Sequence, residues 1–328
     1  MATVVAVFLA LHSLFAGGAS HEVPVHTVHR EAWVMGTRLR VTVEGPNASS
    51  AAEAVLAEVE RMDRVLSTWS RDSDIGEVNT AAVNVPVAVS RELALLLAEA
   101  EGWARRTDRA FDPTVGPLVD AWDLRGEGRT PPPDVLAAAL RAAGPDAFEV
   151  DAAASTVIRR TPAAWLDTGA FGKGAALRTA ARLLRESDTE RAVVDLGGQI
   201  WASAAPDRPW PVSVAHPRRR DESVARLLVS NVSVATSGMS ERPGHILDPR
   251  TGRPAPTWGS VTVVSADPFT ADVLSTALYV MGPEAGMAWA LSVPEVAALF
   301  LTETKAGLNP TWTPAMERWL INTDLEIH

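Results

Sequence analysis

Apolar and polar side chains alternate from Arg38 onward: Leu39, Val41 and Val43 point one way, and Arg38, Arg40, Thr42 and Glu44 the other. A period of two predicts a half-buried strand. The period then becomes helical. Ser49 or Ser50 offers a cap for a helix with Val55, Val59, Met62 and Leu66 on one face. A second amphipathic helix is predicted after Ser90, where Leu93, Leu96, Leu97, Ala100 and Trp103 recur at helical spacing. Thr130-Pro131-Pro132-Pro133 reads as a loop, because proline has no amide donor for a helix or a sheet, and a shorter helix is predicted over residues 134–143.

Beyond residue 190 the pattern shifts towards short β-like runs, at 192–196, 211–215, 225–232, 260–265 and 296–302. Helical patterns lie over 174–185 and 271–281. Without regular βαβ alternation, the expected class is α+β, with largely antiparallel sheets and packed helices. Neither an internal repeat nor a low-complexity linker divides the chain. Residues 20–328 are therefore expected to form one domain, or two intimate subdomains.

Composition narrows the function. The 328 residues are 47% apolar, enough for a substantial core, and the formal charge of −10 argues against a nucleic-acid binder. No cysteine is present, which excludes disulfides, thiolate catalysis and thiolate metal sites. Any metal must bind oxygen or imidazole, as a hard ion such as Mg²⁺ does. Residues 4–16 are almost wholly apolar and lead to Gly17-Gly18-Ala19-Ser20, so residues 1–19 are expected to be a signal peptide cut after Ala19. It is an atypical leader, since no Lys or Arg precedes Arg30. The expected location is the periplasm or the outer face of the cytoplasmic membrane.

Four clusters carry chemistry. Leu166-Asp167-Thr168-Gly169-Ala170-Phe171-Gly172-Lys173-Gly174 opens a predicted helix, so glycines, free amide donors and one full charge coincide. That suits an anion, and it equally suits a flexible strand-to-helix turn. It is not a Walker A loop, because Lys173 precedes Gly174 rather than Ser or Thr. In Thr270-Ala271-Asp272-Val273-Leu274-Ser275-Thr276, Thr270 is a candidate helix cap and Asp272, Ser275 and Thr276 share a helix face. One carboxylate with neutral oxygens fits Mg²⁺, which keeps several waters and leans on substrate phosphates; a plain capped helix fits too.

His245 precedes the turn Asp248-Pro249-Arg250-Thr251-Gly252 and is a candidate general base or a structural histidine, since imidazole titrates near neutrality. Gly197-Gly198 suggests close backbone approach to a ligand or another strand. Finally, Ala110-Phe111-Asp112-Pro113-Thr114-Val115-Gly116-Pro117-Leu118 is a stiff loop whose Phe111, with Trp122, offers flat surfaces to a ring system.

Taken in order, these blocks resemble the ApbE family of FAD:protein FMN transferases. The resemblance runs through Met35-Gly36-Thr37, Ser67-Thr68-Trp69, Ser73-Asp74-Ile75 with Asn79, and the 110–118 loop. It continues through Asp167-Thr168-Gly169-Ala170 with Lys173-Gly174, Asp195-Leu196-Gly197-Gly198, Ala235-Thr236-Ser237-Gly238, the stretch from His245 to Gly252, and Ala271-Asp272 with Ser275-Thr276. It implies an ApbE-like, T-fold-like architecture. It also implies Mg²⁺-dependent transfer of the FMN half of FAD to a Thr or Ser hydroxyl of an acceptor protein, releasing AMP. FAD is then a substrate.

By the same resemblance, Met35, Trp69, Ala110, Phe111, Asp112, Asp167, Lys173 and Leu247 contact FAD. Ala170 (through its carbonyl), Asp272 and Thr276 hold the metal with Ser275 as a helper, and His245 stands near the reacting phosphate, so that His245 or Asp272 is placed to assist proton removal. The implied partner is an extracytoplasmic redox protein carrying an Asp-Gly-x-Ser/Thr-Gly-Ala-Thr-like sequence. Alternatives of other kinds are an FAD pyrophosphatase releasing FMN and AMP, and a non-enzymatic exported FAD-binding protein. Three features depart from the pattern: a short segment from Met239 to Gly244, Ser275 where many relatives have a carboxylate, and Arg178 in place of a common acidic residue.

Overall fold

A computed structural model describes residues 26–239 and 244–323. The expected signal peptide and residues 240–243 of the short segment lie outside the described residues. The centre is an eight-stranded sheet, in spatial order Thr27–Val34, Thr37–Glu44, Arg191–Leu196, Gln199–Ser203, Val232–Gly238, Gly259–Ser265, Ala297–Thr304 and Gly307–Trp312. Every neighbouring pair in it is antiparallel. The α+β expectation holds.

Alternation decides what each face of the sheet covers. Val261, Val263, Ala298 and Phe300 face a helical layer, whereas Val264, Ala297, Leu299 and Leu301 face a second, three-stranded sheet. Both faces of the central strands are thus buried, so that even Ser260 and Thr262, the polar positions of the strand, lie inside. In the helical layer, Ala48–Leu66 lies on the first two strands and Pro268–Met281 on Val232–Gly238 and Gly259–Ser265. Gly172–Glu186 is packed between these two helices. The second sheet is Leu320–Thr323, Ser223–Val229 and Trp210–Ala215.

Several local expectations need correction. The run 225–232 is two strands, Ser223–Val229 and Val232–Gly238, split by a tight turn in which Asn231 takes a φ of 58°. The first helix starts at Ala48, and neither Ser49 nor Ser50 caps it; Ser50 instead donates to the Asn47 carbonyl. Ser90 does cap its helix, accepting from the Leu93 amide. Glu44, placed by alternation on the polar side, is buried because Arg191 and Arg208 both bind its carboxylate. Gly197 and Gly198 form the left-handed turn of a hairpin, and the Gly197 backbone presses on Thr37, so the close approach is to a strand.

Candidate active site

Two helix N-termini meet at the layer's edge. Gly174 sits three residues into Gly172–Glu186, and a methyl there would come within 2.7 Å of both the Asp272 Cβ and the Pro268 carbonyl oxygen. Glycine alone lets the two helices close to this distance. The Gly174 amide then donates to Asp272 Oδ2 at 2.8 Å, and Lys173 Nζ stands 3.8 Å from Oδ1. Asp272 is only 5% exposed. Burial pushes its carboxyl up from the ordinary aspartate range, against the opposing pull of Lys173 and the Gly174 amide.

Thr270 is not the cap of the Asp272 helix. Asp267 is: its carboxylate accepts from the Thr270 amide at 2.9 Å and from the Thr270 hydroxyl at 2.6 Å. A carboxylate reaches the amide three residues on, whereas Thr270 is already inside the first turn. Arg178 clamps this cap with bonds of 2.5 and 2.6 Å to Asp267, binds Glu99 on the helix Arg91–Arg106, and lies over the Phe269 ring. Burial alone would raise Asp267, but hydrogen bonds and charge from Arg178, with the Thr270 bonds, hold it below the usual range.

The loop ahead of Lys173 is held from several sides. Asn79 grips Leu166 through both ends of its amide, at 2.9 and 2.7 Å. Asp167 donates its backbone amide to the Pro113 carbonyl, and its Oδ1 accepts from the Gly169 amide at 2.8 Å. Thr168 donates to the Leu66 carbonyl. Phe171 is buried edge-on between Phe111 and Phe269, at ring separations of 6.2 and 5.7 Å, so one aromatic core joins two of the predicted clusters to the residue just ahead of a third. This overturns one expectation: Phe111, 1% exposed, offers no flat face to a ligand. Asp112 is likewise interior, bonded to Arg109 and to the Thr114 amide and hydroxyl. Ala110 is buried beside them.

Met35 has a φ of 52° in the two-residue turn with Gly36, and its methyl end lies beside Gly172 at the helix start. Trp69 is 75% exposed. Ser275 is buried, with its hydroxyl shared between Ser237 at 2.8 Å and the Asp272 carbonyl at 2.9 Å, while Thr276 and Ala170 are half-buried. His245 is half-buried just before the Leu247–Asp248 strand. Leu247 is buried with Leu118 in a satellite core. The predicted Asp248 turn is present, with both carboxylate oxygens of Asp248 taken by Arg250. Asp272 is therefore brought together with Lys173 and Gly174, and the Asp167 loop leads straight into them.

Three contributors carried no sequence signal of their role. Asn79 and Ser237 stand in recognised blocks but are ordinary polar residues there. Arg125, which donates to Asp167 Oδ2 at 3.1 Å, follows Trp122 by three positions and nothing in its neighbourhood marks it.

The family model for the ApbE family matches residues 35–300. The chain belongs to the ApbE family. A relative from Treponema pallidum, named FAD:protein FMN transferase, is 33% identical over 319 residues, covering 88% of each chain. Another of that name, from Salmonella typhimurium, is 31% identical and covers 77% of this chain and 78% of its own length. Among solved structures, the flavin transferase ApbE from Vibrio cholerae superposes with a TM-score of 0.81 at 27% identity, covering 90% of this chain and all of that one. The ApbE protein from Thermotoga maritima gives 0.82 at 29% identity with the same coverage.

Proposed function

We propose that this chain is an FAD:protein FMN transferase, moving the FMN half of FAD onto a Thr or Ser hydroxyl of an acceptor protein. The observation that carries the reading is the junction at Gly174, where a nearly buried carboxylate, a lysine and two helix N-termini converge. Helix N-termini and an ammonium favour phosphate oxygens, as a diphosphate requires.

The donor set fits a Mg²⁺ site. Among the described residues no three His, Asp or Glu side chains gather, so an all-protein cage is absent. Mg²⁺ does not need one, since it binds through one or two carboxylates plus substrate phosphates. Among the described residues, the partner of Asp272 Oδ1 is the Lys173 ammonium at 3.8 Å, and the disfavour that burial imposes on the carboxylate's charge is what a bound dication would relieve. Asp272, Thr276 and the Ala170 carbonyl would hold the ion, with Ser275 supporting. Bound there, Mg²⁺ supplies charge neutralisation to the diphosphate and to the departing AMP.

The protein's own groups do the rest. Lys173 and the Gly172–Glu186 amides fix the phosphates and stabilise charge as it builds. His245 takes the proton from the acceptor hydroxyl, with Asp272 assisting. The acceptor oxygen forms a bond to the FMN phosphorus, the bond from that phosphorus to the AMP oxygen breaks, and AMP leaves. Location outside the cytoplasm and an acceptor with an Asp-Gly-x-Ser/Thr-Gly-Ala-Thr-like sequence complete the proposal.

The test compares AMP release from FAD and Mg²⁺ with and without an acceptor domain. A positioned hydroxyl has a large effective concentration over water, so the transferase accelerates with acceptor. Rapid AMP and free FMN formation that ignores the acceptor would instead identify an FAD pyrophosphatase.

A further inference from the structure

We infer that Arg125 is a positioning residue for FAD, locking Trp69 and Asp167 into one wall that takes a flat fused heteroaromatic ring. The inference rests on the FAD reading above, and it concerns a residue that the family resemblance does not bring to the site.

The wall is a layered stack. At its base is Gly116, where a methyl would collide with the Trp165 indole at 2.2 Å, so the ring lies directly on the backbone. The Trp165 Nε1–H donates to Asp120 Oδ2 at 2.8 Å, which fixes the ring's rotation. The Arg125 guanidinium comes next, 4.3 Å from the Trp165 ring centre and 4.6 Å from that of Trp69. Trp69 forms the outer layer, and it is 75% exposed. The guanidinium therefore covers the inner side of an indole that is otherwise open to solvent.

Its hydrogen bonds run to the loop that carries Trp69 and to the loop that leads to Lys173. Arg125 donates to the Thr68 carbonyl at 2.9 Å, to the Thr68 hydroxyl at 2.5 Å and to Asp167 Oδ2 at 3.1 Å. Asp167 Oδ1 is already committed to the Gly169 amide, so Arg125 sets the remaining freedom of that carboxylate. It also offsets the negative charge that Asp167 would otherwise present to an incoming diphosphate. A planar fork with several donors can bond sideways and stack on both faces at once; a lysine ammonium cannot.

An exposed indole backed by a cation and held on a rigid base is a stacking platform. Ring stacking on an aromatic side chain is worth about 5- to 150-fold in affinity, which sets the upper limit on what loss of its support can cost. Both halves of FAD carry a suitable ring, adenine or isoalloxazine, and the shared chemistry is the fused heteroaromatic face.

The experiment measures FAD binding by flavin fluorescence, and KM and kcat for AMP release, in the parent, Arg125→Ala and Arg125→Lys. ADP and FMN serve as competing fragments, and urea unfolding checks that each variant is folded. Both variants are expected to raise Kd and KM for FAD at least about 5-fold, towards the roughly 150-fold upper limit for loss of the stacking ring itself, with kcat within about twofold and no rescue by lysine. The fragment carrying the stacked ring should lose affinity and the other should keep it. Folded Arg125→Lys with parental FAD affinity, a fall in kcat at constant KM, or no loss for either fragment would overturn the inference. A parent protein that binds no FAD would instead sink the functional reading itself.

Discussion

Gly174→Ala is the substitution that most sharply tests the helix junction. In an ordinary helix the change would stabilise by about 0.5–1 kcal/mol, because alanine loses less backbone entropy. Here the added methyl would lie 2.7 Å from the Asp272 Cβ, 2.7 Å from the Pro268 carbonyl oxygen and 2.9 Å from the Phe269 Cα. Two of these three are backbone atoms and cannot swing away, so the helices must separate. Overpacking of this kind costs about 1–3 kcal/mol, which equals or exceeds the helical gain. A net loss of up to about 2.5 kcal/mol follows, in place of the usual gain. Parting the helices also lengthens the Gly174 amide bond to Asp272, so turnover should fall with stability. Gly102→Ala is the control. It lies in helix Arg91–Arg106, and its nearest neighbour in space is the end of the Arg105 side chain at 3.9 Å. That variant should gain about 0.5–1 kcal/mol. Urea unfolding of both, read at matched slopes, decides the matter. Equal stabilisation at the two sites would refute the crossing as described.

Three further outcomes are expected. Asp272→Asn keeps the shape and an acceptor for the Gly174 amide but removes the buried charge; it should cut Mg²⁺-dependent turnover at least about 10²-fold while leaving metal-free stability at neutral pH equal or higher, by kinetics and urea unfolding. His245→Ala should bind FAD with little change and lose about 10²–10⁴ in rate, so a binding defect without a separate rate defect would reassign the histidine. Asp267 has its carboxyl lowered in the fold, so its contribution is present above the unfolded-state value near about 3.9 and disappears as pH falls through the lower folded value. Arg178→Met should therefore flatten the acid limb of stability against pH; an unchanged limb would mean the clamp does not act on Asp267.

Much of this was legible from residue pattern alone. The strand through Leu39, Val41 and Val43 and the helix after Ser90 follow from period and cap, since local physics fixes both. Glu44 shows the limit of that reasoning: alternation assigns a face, but Arg191 and Arg208 arrive from far along the chain to bury it. Thr270 failed as a cap for a narrower reason, because Asp267 and Thr270 are both good capping types and only the observed first turn decides between them. Phe111 was misread because a ring beside glycine and proline looks available, while its Phe171 and Phe269 partners come from distant segments. The same long-range assembly hid Arg125, whose stacking partners lie 56 and 40 positions away. Asp272 itself was found by its helix face, but its burial was not, because the helix that carries Gly174 closes over it only in the fold.

The central claim is a covalent one, and mass spectrometry of an acceptor protein reads it directly. The chain is incubated with FAD, Mg²⁺ and a candidate acceptor, and the acceptor is then digested and mapped. FMN should be found in phosphodiester linkage on one threonine or serine, in equal amount to the AMP released, and absent when Asp272→Asn replaces the parent. AMP and free FMN accumulating while a competent acceptor stays unmodified would contradict the account.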